Sequence, residues 1–311
     1  MKRLYNILPI ITLSLITILS ISCEKIVYTF DNTKPRIISG PAVLSVTDST
    51  STIYWETDEA CHAEVRYGTS TKYDSVYKLD ENREYHTVTL LSLCPYTQYH
   101  YKIYNWDFAD NGPVKSEDST FTTLHNEYSL LREGWSQYSA GNFSAALCLI
   151  YESFNRNPFV PATYAAMGWA QLRLDSLEVA RESFATAYSL NPYLNITLAG
   201  LAVISMIDNQ PQNAINYAKK VLSNDPEWVY EYAESINYLR IHLILAEAYY
   251  QTQQLEKAKK ELDFLWPENG LDPNIPATWV INGTVYNSYA AALIAAINYA
   301  ADNIELGKKL T

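Results

Sequence analysis

Residues 134–158 read GWSQYSAGNFSAALCLIYESFNRNP, residues 168–192 read GWAQLRLDSLEVARESFATAYSLNP, and residues 202–226 read AVISMIDNQPQNAINYAKKVLSNDP. The three segments begin 34 residues apart, and their markers keep that spacing. Gly134, Gly168 and Ala202 hold one small position. Ala146, Ala180 and Ala214 hold a second, and Pro158, Pro192 and Pro226 a third, with Trp135 aligned to Trp169. A fixed period of this length over three units is the mark of a stacked repeat. Each unit reads as two helices: a small residue lets them cross closely, an alanine packs between them, and a proline ends the second. A fourth unit is less regular. Leu245-Ala246 and Ala258 fit it, with Tyr249-Tyr250 between them, but Ala214 to Ala258 spans 44 residues. Residues 228–238 supply the ten extra positions and are expected as a lengthened helix. Pro267 to Pro276 reads as a loop, and Tyr286 to Ile304 as a final helix that caps the stack, because terminal repeats otherwise expose an apolar face.

These repeats resemble the tetratricopeptide family, and the run Tyr138 to Ala146 is similar to that family's inter-helix turn. The resemblance implies a non-enzymatic protein-binding scaffold whose first helices line a concave face. That face would carry Tyr128, Leu131, Trp135 and Tyr138 from unit one. Units two to four would add Trp169 and Leu172, Val203 and Met206, and Tyr250. The expected ligand is an apolar peptide or protein segment, since contiguous exposed aromatic surface usually marks a binding site. The variant of the family that clamps a C-terminal carboxylate needs Lys and Asn here, and Leu131 and Trp135 stand instead. Two possibilities stay open: a groove free for a partner, or one covered by the final helix or by the N-terminal domain.

Residues 35–124 alternate apolar and polar. Ile53 and Trp55 share one face, as do Ala63, Val65 and Tyr67, and then Tyr99, Tyr101 and Ile103. Residues 86–93 read as a further strand with Val88 and Leu90 inward. Short strands separated by turns such as Tyr67-Gly68-Thr69-Ser70 predict an all-β sandwich. The run Leu93-Cys94-Pro95-Tyr96-Thr97-Gln98-Tyr99 resembles the tyrosine corner of a fibronectin type III domain, and Trp55 its buried tryptophan. Residues 65–70 and 86–90 are similar to the variant at the N-terminus of purple acid phosphatases, although no metal-bearing domain follows. The acidic run from Asp107 to Gly112 is expected as a turn rather than a calcium loop, because its spacing does not match an EF-hand. His100, beside Lys102, is expected as a solvated strand position.

The N-terminus reads as an address. Lys2-Arg3 precede an uncharged apolar stretch, Leu4 to Ile21, and then Ser22-Cys23. This resembles a bacterial lipoprotein signal, with residues 1–22 the signal peptide, Cys23 the lipidated residue and 23–34 a tether. Ser20 stands where that pattern wants an aliphatic residue. The resemblance implies a lipid-anchored protein of the cell envelope facing the periplasm or the cell surface, with the outer membrane favoured over the inner.

Composition narrows the rest. The chain has 34 acidic and 23 basic residues among 311, a formal net charge of −11. That balance argues against nucleic acid as a partner, because phosphate binding needs clustered Lys and Arg. Three cysteines besides Cys23, with no CxxC pair, give no disulfide framework and no zinc site. No GxSxG, HExxH, phosphate-binding loop or dinucleotide fingerprint is present, so no catalytic residue, metal or cofactor is expected. The reading is a multidomain chain, all-β plus all-α: a fibronectin type III-like β-sandwich over 35–124, then a tetratricopeptide-type helical solenoid over 126–311. Its expected role is a membrane-anchored scaffold or assembly factor binding protein partners of the envelope. The alternative is a surface adhesion or glycan-binding lipoprotein using the Tyr-rich sandwich. The sequence does not set the oligomeric state.

Overall fold

The computed structural model describes residues 31–304. The signal and lipidation readings at residues 1–22 and Cys23 lie outside the described residues. Six strands come first: β1 (Ile37–Val46), β2 (Ser51–Gly68), β3 (Ser75–Leu90), β4 (Gln98–Asp107), β5 (Val114–Lys115) and β6 (Ser119–Thr122). They form one sheet in which β2 pairs with β1, β3 and β4, and β4 pairs with β5 and β6, all antiparallel.

The sheet is folded on itself by β2. Residues 51–57 of β2 pair with β1 and with 85–90 of β3, and residues 61–68 pair with 75–83 of β3 and with β4. The register slips between Glu56 and Cys61, and an extra residue at such a bulge bends a strand. Ile53, Trp55, Val88 and Leu90 from one arm therefore meet Val65, Tyr101, Ile103 and Phe121 from the other in a single buried cluster. This corrects the expected separate strands at 52–56, 63–67 and 86–93. Long bent strands serve both arms, and the third ends at Leu90 because Ser92 takes a left-handed φ of 57°. The period-2 faces hold: Trp55 is fully buried, and its indole N–H donates to Asn105 Oδ1 at 2.8 Å. His86 stacks on Trp55 with ring centroids 4.8 Å apart, and burial pushes its pKa down to about 4. The Tyr99 hydroxyl accepts from the Cys94 backbone N–H at 2.8 Å, pinning the loop before β4. His100 is half-buried and paired with Asp118 at 2.8 Å, a correction to its expected solvated state.

The chain crosses at residues 123–126 into helices. Asn126 caps α1 (Glu127–Ser139) through a reciprocal box with Ser129. Helices α2 (Phe143–Arg156), α3 (Pro161–Arg173), α4 (Leu177–Leu190), α5 (Asn195–Ile207) and α6 (Pro211–Asn224) complete three hairpins. A fourth is made by α7 (Tyr238–Gln251) and α8 (Leu255–Leu265). All four hairpin turns use one geometry. Gly141, Asp175, Asn209 and Gln253 stand at φ of 82°, 56°, 53° and 58°. The following N–H reaches back to the carbonyl five residues earlier, as in Asn142 to Gln137 at 2.9 Å and Gln254 to Tyr249 at 2.8 Å. This is a Schellman closure, which satisfies carbonyls the helix end leaves orphaned. The pair β7 (Val280–Ile281) and β8 (Thr284–Val285) leads to α9 (Tyr289–Ile304). That helix packs on α7 and α8 through Ala292, Leu293, Ala296, Ile297 and Ala300, at the expected capping position. It begins at Tyr289 rather than Tyr286. Among the described residues, no helix is long and apolar enough to cross a membrane.

Residues 228–237 are not the expected lengthened helix. Asp225 is extended at φ −155° and Pro226 follows it, so α6 stops at Asn224. The segment is an irregular loop closed by Tyr230 N–H to the Ile236 carbonyl at 3.0 Å and Tyr238 N–H to the Trp228 carbonyl at 2.7 Å.

Candidate functional site

Stacking places α1, α3, α5 and α7 side by side as first helices of their units, with α2, α4, α6 and α8 behind them. The loop 228–237 folds back as a strap across the first of these. The Tyr230 ring meets Trp135 edge-on at 4.7 Å, and Ser139 Oγ donates to the Tyr232 carbonyl at 2.8 Å. Burial pushes the Tyr230 hydroxyl pKa upward. Beneath the strap Trp135 is fully buried, and its indole N–H meets no acceptor among the described residues; Leu131, also on α1, is 7% exposed.

Beyond the strap the concave side stays open as a cavity of about 420 Å³. Trp169 and Leu172 of α3, Val203 and Ile207 of α5, and Leu243 and Ile244 of α7 form its apolar wall. Tyr138 of α1 and Ile236 of the strap also line it. Arg173, Asp175, Arg240 and Glu247 are the charged residues of the lining. Burial raises the Glu247 carboxyl pKa, with Arg240 opposing the rise. The wall is braced from below. Trp169 Nε1 donates to the Ile196 carbonyl at 3.0 Å, and its ring meets buried Phe184 edge-on at 5.8 Å.

The sequence-predicted groove residues therefore divide. Tyr138, Trp169, Leu172 and Val203 line the cavity. Leu131 and Trp135 do not: both are core, and Trp135 is covered by Tyr230 of the strap, an aromatic segment far along the chain. Tyr128 is 60% exposed but lies outside the cavity, and Met206 and Tyr250 are half-buried outside it. The groove is narrowed by neither the final helix nor the β region but by the strap. The repeat alignment also puts Leu243 and Glu247 on this face, and both line the cavity; it does not give Ile207, Ile236, Arg173 or Arg240, for which the aromatic cluster Trp228, Tyr230 and Tyr232 was the available signal of a strap. His242 faces α8, 2.6 Å from Glu261 and stacked on Phe264.

In the β region the Asp107 to Gly112 run is a turn. The Asn111 N–H and side-chain amide donate to the Asp107 carboxylate at 2.8 and 2.7 Å. Carboxylates of Asp31, Glu59 and Asp107 converge within 4.8 Å of one another. Burial, then the neighbouring acids, raises the Glu59 pKa. Cys61 is buried, Cys94 and Cys148 are exposed, and none of them is in a disulfide.

Residues 205–275 match the family model described as tetratricopeptide repeat. The helical region carries tetratricopeptide repeats. Similar solved structures include a thermophilic repeat protein of this kind from Thermus thermophilus, at 19% identity, covering 58% of this chain and 90% of that one with a TM-score of 0.38. A tetratricopeptide repeat protein from Parabacteroides merdae is 18% identical, covering 58% and 61% with a TM-score of 0.37. The first such domain of Spaghetti (RPAP3), solved bound to an HSP90 peptide, is 16% identical, covering 44% and 95% with a TM-score of 0.32. No curated protein matches the chain.

Proposed function

We propose that this chain is a non-enzymatic scaffold or assembly factor of the bacterial cell envelope, anchored to membrane through Cys23. Its repeats bind an apolar segment of a protein partner. The observation that carries this is the cavity between α3, α5, α7 and the strap, whose lining is mostly apolar, with Arg173, Asp175, Arg240 and Glu247 as its charged members. At about 420 Å³ it falls within the range of about 300–1,000 Å³ typical of ligand-binding clefts. Tetratricopeptide repeats are protein-interaction scaffolds as a class, which supports the reading.

The β region is read as fibronectin type III-like. The Tyr99 hydroxyl bond to Cys94 and the buried Trp55 support that assignment. It serves as a spacer between anchor and repeats.

The binding reading is tested on residues exposed enough to change without unfolding the stack. Leu177 and Ile207 line the cavity and are 36% and 48% exposed. Leu177→Asp with Ile207→Asp should leave thermal unfolding nearly unchanged. It should abolish recovery of the partner crosslinked to the wild-type chain in the native envelope. Undiminished recovery by the folded double variant would remove the groove from the function. Trp135→Ala is unsuited to this purpose, because it would empty the core beneath the strap.

A further inference from the structure

The turn after β4 carries the most exposed large apolar side chain among the described residues. Phe108 is 88% exposed, yet the backbone beneath it is held in place. Asp107 is buried and accepts from Asn111 through both main chain and side chain, and the Asp110 N–H donates to the Asp107 carbonyl at 3.1 Å. A rigid turn that presents a phenylalanine to water loses hydrophobic free energy in isolation, and it has already met the ordering cost of docking.

The position of this turn says what it would meet. The Asn111 side-chain amide donates to the Asp31 carbonyl at 2.9 Å, so the turn lies against the start of the described chain. Asp31 stands eight residues after Cys23, and eight residues reach at most about 28 Å. The opposite end of β4 adjoins the exit to α1, where the Tyr96 N–H donates to the Leu124 carbonyl at 3.1 Å. The 10 residues of β4 span about 33 Å, which separates the repeats' entry point from the Phe108 end. Charge at this end is net acidic: Asp31, Glu59, Asp107 and Asp110 stand near the turn, with Lys34 and the Arg36–Asp58 ion pair on the adjoining segments. Such an end suits a zwitterionic lipid surface better than an anionic one.

We propose that Phe108 inserts into the interface of a zwitterionic bilayer, so that the β region stands on the membrane with its repeat-bearing end outward. The inference rests on the reading of Cys23 as the lipid anchor. It adds a second contact, and a second contact turns a loose tether into a fixed orientation.

The full processed chain is reconstituted in vesicles of phosphatidylethanolamine and phosphatidylcholine, with the photoreactive residue p-benzoylphenylalanine at position 108. The control carries it at Tyr193, which is 79% exposed in the repeats. The intact mass of the vesicle-bound chain reports separately whether Cys23 is acylated. The expected result is phospholipid adducts from position 108 at least ten-fold above those from position 193. An acylated chain with no excess at 108, or with adducts there to a second protein chain, would overturn the insertion and leave the anchor standing. A chain without acyl groups on Cys23 would overturn both.

Discussion

Gly200→Ala places a methyl group where the structure has no room. An ideal Cβ at Gly200 would stand 2.1 Å from Phe184 Cε1 and 2.4 Å from Cζ, against the 3.5–4.0 Å at which carbon atoms attract. The ring has little freedom to withdraw. Phe184 is fully buried, a Cβ at Gly168 would also lie 2.8 Å from it, and Trp169 meets it edge-on. Overpacking a tight core costs about 1–3 kcal/mol, and so short a contact belongs near the upper figure. Alanine returns about 1 kcal/mol of helix propensity over glycine, leaving a net loss of about 2 kcal/mol. With a urea dependence of about 2 kcal/mol per molar, the midpoint of unfolding followed at 222 nm should fall by about 1 M. Because Phe184 braces Trp169, the same change should loosen the groove wall. In the Phe184→Leu background the added cost of Gly200→Ala should shrink, since the two residues share one contact. A single variant at or above the wild-type midpoint would show that propensity governs this site and that the packing argument is wrong.

Three further outcomes follow from local geometry. Tyr99→Phe removes the acceptor of the Cys94 N–H and should destabilise the β region by about 1–2 kcal/mol in chemical unfolding followed by near-ultraviolet circular dichroism. His86, held neutral by burial with its pKa pushed down to about 4, contributes stability that is full above its unfolded pKa of about 6.5. That stability should fall as pH drops from about 6.5 toward 4, by up to about 1.4 kcal/mol per pH unit, and His86→Gln should flatten this limb of the profile. Gln253→Gly relieves a left-handed position occupied by glycine in the first hairpin and should raise the unfolding midpoint by the equivalent of about 1 kcal/mol; no gain would mean the Gln253 turn is unstrained.

What was legible in the sequence is what repeats or alternates. The 34-residue spacing located α1 to α6 and their turns, because each unit must solve the same packing problem. The period-2 faces placed Ile53, Trp55, Val65 and Tyr101 inward. The strap was not legible. Nothing local to Trp228, Tyr230 and Ile236 says that they cross to unit one, so Trp135 looked like groove when it is core. The bent strands were hidden for a related reason, since a bulge at residues 57–61 keeps the alternation on both sides while changing the partner. The third unit concealed its close approach because alignment puts Ala202 at the small position, while the glycine that meets Phe184 is Gly200.

The central claim is that the open cavity beyond the strap holds a protein partner. It is met most directly by photocrosslinking in the native envelope from p-benzoylphenylalanine at Val203, which lines the cavity, with Glu182 on α4, outside it, as the reference position. The account predicts one dominant protein adduct from position 203, absent from position 182 and lost when Leu177→Asp and Ile207→Asp are added. Adducts of equal yield from both positions, or none from 203 in a chain shown to be folded and present, would contradict it.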